Sequence, residues 1–164
     1  MSTSTYVPPK GSINAKYIFL GEQPGRYEVK LREPFVGPAG VNLQECCQQA
    51  RLSWSDTYRT NVIKDLDHPL EYYIQIIGGK NGTVKVSDDG RKYIEALRLE
   101  LLSTSSNIII ACGNVALWAL CARIGIMRWR GSVLESTLLP GKKVLPTIHP
   151  ATWTREKLFQ NPGA

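Results

Sequence analysis

Side chains able to do chemistry fall in four short stretches, most of them framed by glycine or proline. Gly21-Glu22-Gln23-Pro24-Gly25 brings a carboxylate and an amide into a tight turn, and Pro34-Phe35-Val36-Gly37-Pro38 sets one aromatic ring in a second Gly/Pro frame. Asn61 lies in Thr60-Asn61-Val62-Ile63-Lys64, and His149 opens His149-Pro150-Ala151-Thr152-Trp153. A phenyl face, an amide edge and an imidazole donor together suit a flat, polar ring: the phenyl stacks on it and the other two hydrogen-bond its edge. Other chemistries match less well. His149 has no cluster of ligands around it, no nucleophilic triad is present, and GEQPG lacks the G-x-x-x-x-G-K-[ST] pattern that cradles phosphate. An ordinary strand-to-helix loop and a loop-capping asparagine are the plainer readings of the same residues. Convergence of all four stretches is what favours a site.

Strands must hold these stretches in place. Tyr17-Ile18-Phe19-Leu20 is an apolar run suited to a buried parallel strand, and it ends at the first turn. From Pro38 to Leu52, positions Val41, Leu43, Cys46, Cys47, Ala50 and Leu52 follow a helical period. Tyr58–Lys64 reads as a second strand. Residues 70–87 read as an inserted β-hairpin, Tyr72–Ile77 and Thr83–Val86 around a loop at 78–82. Asp88 or Asp89 is placed to cap a helix from Gly90 to Leu102, with Ile94, Leu97, Leu101 and Leu102 inward. Asn107–Gly113 is another buried strand, and Asn114 can cap a short helix to Arg123. After the basic-aromatic loop Arg128-Trp129-Arg130, Lys143–Ile148 forms the last strand and delivers His149 to the rim. Strands separated by helices predict an α/β fold: a three-layer α/β/α sandwich around a central, mainly parallel four-stranded sheet. In such sheets the loops at the carboxyl ends build the site.

With 164 residues, 43% of them hydrophobic, the chain is expected to be one domain over 15–164 behind a loose arm at 1–14. No apolar run reaches the roughly 18 residues of a membrane span, and the N-terminus lacks an apolar leader, so a cytoplasmic protein without membrane contact is expected. Twenty Lys and Arg against fourteen Asp and Glu give +6, compatible with nucleic acid without establishing it. Cys46 and Cys47 are adjacent and would point about 100° apart on a helix. Cys112 and Cys121 stand alone, so the four read as buried, reduced thiols.

At these residues the chain resembles the uracil-DNA glycosylase superfamily. Its first motif, G-E-x-P-G followed by R-P-F-V-G-x-A-G, corresponds to Gly21–Gly25 and Pro34–Gly40. Its T-N-x-x-K is Thr60–Lys64, and its closing H-P-[SA]-x-x-x-R is His149, Pro150, Ala151 and Arg155. Ile108–Leu120 is also similar. The likeness looks strongest to the Fe–S-type and phage polymerase-associated branches.

The resemblance implies a monofunctional hydrolase of N-glycosyl bonds, releasing uracil from a flipped-out deoxyuridine in DNA in base excision repair, with no metal or cofactor. Phe35 would stack on uracil, Asn61 would read its O4/N3 edge and His149 would hydrogen-bond O2. Gly21 and Glu28 would also contact uracil, Glu28 by excluding the thymine methyl. Gln23 stands where the water-directing group belongs, a position that varies across the family; it can orient a water but is a poor base, and Glu22 or Glu28 is the further candidate. Pro24, Gly25, Arg130, Thr152, Trp153 and Arg155 are implied to hold DNA, with Trp153 or Arg155 as the intercalating wedge. Arg26, Lys30 and Arg32 are candidates for phosphate.

Three departures qualify this. The cysteines of the Fe–S branch, upstream of the first strand and after T-N-x-x-K, are missing, and Asp65 follows Lys64, so no Fe–S cluster is expected. Glu33 separates Arg32 from Pro34. The chain also stops soon after Arg155, as a monomer or as a domain of a larger replication or repair protein, in host cytoplasm or nucleoid if viral. One related branch is trapped covalently on uracil DNA through a histidine; His68 lies near that region, although Asp67-His68-Pro69 reads first as a turn. Two alternatives stay open: a catalytically weak uracil- or DNA-binding accessory domain of a replication or viral protein, and a protein-contact domain using the 70–87 hairpin.

Overall fold

The computed structural model describes residues 3–79 and 81–153. In chain order its elements are β1 (Tyr17–Gly21), α1 (Arg26–Leu31), α2 (Pro38–Gln49), β2 (Thr57–Asn61), α3 (Leu70–Tyr73), β3 (Ile74–Ile77) and β4 (Thr83–Val86). There follow α4 (Asp88–Leu102), β5 (Ile108–Cys112), α5 (Asn114–Cys121), α6 (Ile126–Trp129), β6 (Leu134–Glu135) and β7 (Lys143–Thr147). The central sheet runs β2-β1-β5-β7-β6. Its first four strands are parallel; the fifth, β6, is a two-residue antiparallel edge beyond the four expected strands.

Strand residues point alternately to opposite faces, and both faces of this sheet are covered. Ile18, Leu20 and Ile109 meet Leu97 and Leu101 of α4 and Leu117 and Leu120 of α5 in the larger core cluster, all 0% exposed. Phe19, between Ile18 and Leu20, joins Leu43 and Cys47 of α2 in a smaller cluster with Phe35 and Cys112. Three layers result. Because the strands are parallel, the ends of β2, β1, β5 and β7 open on one rim, where Asn61 and Gly21 close β2 and β1, and Gly113 and His149 come after β5 and β7.

Several elements depart from expectation, each because a tertiary partner overrides a local signal. The stretch expected as a loose arm is laid along β2: Lys10 bridges Arg59 with bonds of 2.9 and 2.7 Å, and Val7 is 1% exposed. This covers the sheet edge, which would otherwise be an open row of donors and acceptors. Strand β2 stops at Asn61. Tyr72 and Tyr73 are helical, not part of the hairpin strand, since Tyr73 turns inward to reach a buried carboxylate. Helix α4 is capped by Ser87, whose Oγ accepts from Gly90 N at 3.1 Å, which leaves Asp88 and Asp89 in the first turn. Leu102, expected inward, is 56% exposed.

Leu117 sits between α5 and the sheet with no exposed surface. Leu117→Ala is expected to lower stability by about 2–5 kcal/mol, seen as a reduced urea midpoint at unchanged slope.

Candidate active site

Gly21, Phe35 and Asn61 meet at the end of β1. Gly21 is in register with Asn61, and a side-chain carbon at Gly21 would lie 2.3 Å from Asn61 Oδ1 and 2.9 Å from Phe35 Cζ. Phe35 holds a left-handed backbone (φ 58°), strained for a non-glycine residue, with its ring 7% exposed. Gly40 in the first turn of α2 permits this, because a carbon there would come within 1.9 Å of the Phe35 carbonyl oxygen. Asn61 is 5% exposed, yet its side-chain amide makes no hydrogen bond with a described residue. Its amide atoms are also not sealed off, unlike Thr60 Oγ1 beside it, which is buried without a partner. A nearly buried amide with free donors and an acceptor is costly unless a ligand completes it.

Two charged pairs that no sequence pattern indicated hold this corner. Lys64 Nζ donates to the Asn61 carbonyl at 2.5 Å and pairs with Glu100 at 2.8 Å. Burial pulls the ammonium down, and Glu100 opposes that shift. Arg59 lies over the Trp54 ring, 4.6 Å from its centroid, and pairs with Glu33 at 3.3 Å. Glu33, which separates Arg32 from Pro34, therefore fastens the Phe35 loop to β2.

The first turn serves its neighbours. Glu22 Oε2 accepts from Val115 N at 2.8 Å, so Glu22, and not Asn114, caps α5. Burial raises the Glu22 carboxyl and the Val115 bond opposes it. Asn114 Oδ1 instead accepts from Ile126 N at 2.9 Å. Gln23 Nε2 donates to the carbonyls of Asp65 (3.0 Å) and His68 (2.7 Å). Since both partners only accept, the amide orientation follows from the network, and Oε1 is left to accept from water. The loop it grips is pinned in turn: the Asp65 carboxylate accepts from Tyr73 OH at 2.5 Å, from Tyr93 OH, and from Asp67 N at 3.1 Å. Burial and this carboxylate push both phenols up. His68 itself is exposed, its ring 4.0 Å from that of Tyr72.

His149 Nδ1 accepts from Ala151 N at 3.1 Å. A nitrogen that accepts carries no proton, so neutral His149 holds its proton on Nε2, which bonds to no described residue. Burial lowers the imidazole below 6.5, so the neutral form prevails at pH 7. Asn42 of α2 fixes the loop by donating to the carbonyls of Pro150 and Trp153, each at 3.1 Å. One residue thus ties the Phe35 wall to the His149 wall.

Among the residues expected to touch DNA, Thr152 and Arg130 are exposed, Pro24 is buried and Gly25 half-buried. Trp153 is half-buried against the smaller cluster, so packing engages its ring in this conformation. Arg155 lies outside the described residues. The Glu28 carboxylate lies between Gly25 and Gly37, where added carbons would come within 3.5 and 3.1 Å of Oε2. Exposed Arg26, Lys30 and Arg32 lie on and just after α1.

All four cysteines are free thiols; Cys46, expected to be buried, is half-buried, and the other three are buried. Cys47 and Cys112 belong to the smaller core and Cys121 to the larger. Burial raises all four above their ordinary value, Cys121 to about 11. No group of three or more metal-binding side chains occurs among the described residues.

The family model described as "Uracil DNA glycosylase superfamily" matches residues 8–162. A protein of Thermotoga maritima named "Type-4 uracil-DNA glycosylase" is 26% identical over 159 residues, covering 96% of this chain and 76% of that protein. A protein of the same name from Archaeoglobus fulgidus is 46% identical over 61 residues, 37% of this chain and 31% of its own length. A "DNA polymerase" of Bacillus phage SP01 is 25% identical over 153 residues, 93% of this chain but 15% of the polymerase.

Two outcomes follow from this geometry. Gly40→Ala displaces the Phe35 backbone and abolishes ligand binding at the Asn61 corner, while far-ultraviolet circular dichroism stays native. As pH falls, the unfolded chain takes up a proton at His149 before the folded one does, so this residue's contribution is complete above about 6.5 and is lost below it. Urea titrations should show wild type losing more stability than His149→Gln between pH 7 and pH 5.

Proposed function

The chain belongs to the uracil-DNA glycosylase superfamily, and on that footing we propose that it hydrolyses the N-glycosidic bond of a flipped-out deoxyuridine in DNA, as a step of base excision repair. The observation that carries this reading is the unpartnered, 5% exposed amide of Asn61 against Gly21 and the Phe35 ring. A flipped uracil stacks on Phe35, donates its N3–H to Asn61 Oδ1 and accepts at O4 from Nδ2. Cytosine presents the reverse pattern and leaves the pairing unmet.

In the reaction the C1′–N1 bond breaks with its electron pair going to uracil, where charge collects on O2. The His149 Nε2–H donates to that oxygen as the charge grows; a neutral donor held in place by the Ala151 bond needs no reorganisation at that moment. Water adds to the cationic sugar carbon and its proton passes to solvent, while the uracil anion is protonated after departure. Gln23 Oε1 accepts from that water. The side chain is an orienting group and not a base, consistent with both its N–H bonds being spent on loop carbonyls. No metal or cluster is assigned a step.

That same engagement of Gln23 favours a second reading, a uracil- or DNA-binding domain with weak catalysis. Alignment with 15% of a phage polymerase suits a module attached to replication machinery.

Single-turnover incubation with an oligonucleotide carrying one deoxyuridine separates the two, with alkali revealing abasic sites. Wild type is expected to release uracil, and His149→Ala to lose about 10²–10³-fold in rate, the usual effect of removing one such donor. Asn61→Asp, which can only accept, should shift the remaining activity toward cytosine. Tight binding of uracil-containing DNA without release by wild type would leave the binding module.

A further inference from the structure

A cavity of about 290 Å³ opens beside the catalytic turn, between the tip of the β3–β4 hairpin and α6. Its walls are apolar: Ile76 from the hairpin, and Ile124 and Met127 from the segment after α5. Met127 is 61% exposed, an unusual place for a large apolar side chain without a ligand. Asn114 supplies polarity. Its Oδ1 is held by Ile126 N, which leaves both Nδ2 hydrogens free of described partners. Arg128 supplies charge, and its guanidinium is 5.1 Å from the centroid of the Trp129 ring, which Arg123 also approaches at 4.6 Å. Two cations on one ring favour an anion, and no ion pair among the described residues includes either arginine.

The cavity shares the rim of the proposed base pocket. Asn114 follows Gly113, where an added carbon would come within 2.9 Å of the Glu22 carboxylate. Gly131 N donates to Pro146 O at 3.0 Å and fixes α6 beside the end of β7. Across the turn, by contrast, a cavity of about 440 Å³ is lined by three carboxylates, Asp65, Asp67 and Asp89, against one cation, Lys92, which pairs with Asp89 at 3.8 Å, so its net charge is negative and disfavours phosphate. A strand crossing the rim is therefore steered to the α6 side.

We propose that this cavity is a second nucleotide subsite. It takes one nucleotide flanking the deoxyuridine, with the base between Ile76, Ile124 and Met127, its edge on Asn114, and a phosphate on Arg128. About 300 Å³ is the lower end of ligand-pocket sizes and suits a single base. The proposal rests on the preceding reading that the substrate is a DNA strand.

The test uses single-strand oligothymidylates with one deoxyuridine and zero, one, two or four nucleotides added on either side. Wild type should gain about tenfold in half-saturating concentration from one or two added nucleotides on one side only, as expected for one stacked base. Arg128→Gln and the cavity-filling Ile124→Trp should lose that gain while keeping the wild-type rate on the shortest substrate and the wild-type Tm. Arg128→Gln should also reduce the slope of log binding against log salt by about one. Absence of a flank effect in wild type, equal weakening at every length, or an unchanged salt slope would overturn the subsite. If wild type releases no uracil, the glycosylase reading fails by itself. Anisotropy with uracil-free oligothymidylates then decides the subsite through the same salt slope.

Discussion

Nothing larger than hydrogen fits on the Cα of Gly21. At the end of the central strand, Asn61 Oδ1 and the tip of the Phe35 ring occupy the space a side chain would need, so an amide edge and an aromatic face converge on one point. The rest of the structure serves that contact. A parallel sheet buried on both faces makes β1 rigid, and register with β2 sets Asn61 opposite Gly21. The strained Phe35 backbone is held by α2, whose own first turn requires a glycine.

Around this corner the fold spends its buried charge on backbone, not on substrate. Lys64 with Glu100 grips the Asn61 carbonyl, Arg59 with Glu33 grips the Phe35 loop, and Asp65 with two tyrosines grips the loop that Gln23 holds. Buried ion pairs of this kind add little net stability, because desolvation offsets their attraction. Breaking one partner is far costlier than never having had the pair. Their value here is geometric: each fixes a backbone segment from which a side chain faces the rim.

The elements carrying the site are largely legible in the sequence. Tyr17–Leu20 and Asn107–Cys112 stand out because strands buried on both faces are continuously apolar, and Gly/Pro punctuation marks where they end. Asn61 and His149 could be placed on a common rim from parallel topology alone. What is not legible depends on partners far apart in the chain. Glu22 and Val115, Asn42 and Trp153, and Lys64 and Glu100 are ordinary surface-type residues until the fold brings them together. Local propensity misleads where a tertiary contact is stronger, as at Tyr73, drawn out of the hairpin by Asp65, and at Asn114, displaced as a cap by Glu22. The N-terminal arm is composed like a linker, but a sheet edge needing partners orders it.

Asn42 gives the pocket a particular mechanical character. Its single amide binds the carbonyls of Pro150 and Trp153 while its backbone belongs to the helix that seats Phe35. Floor and ceiling of the recess therefore share one rivet. Such a recess suits a fixed gauge and not a jaw: under the function proposed above, discrimination would fall on whether a base already fits, and the work of deformation on the polynucleotide.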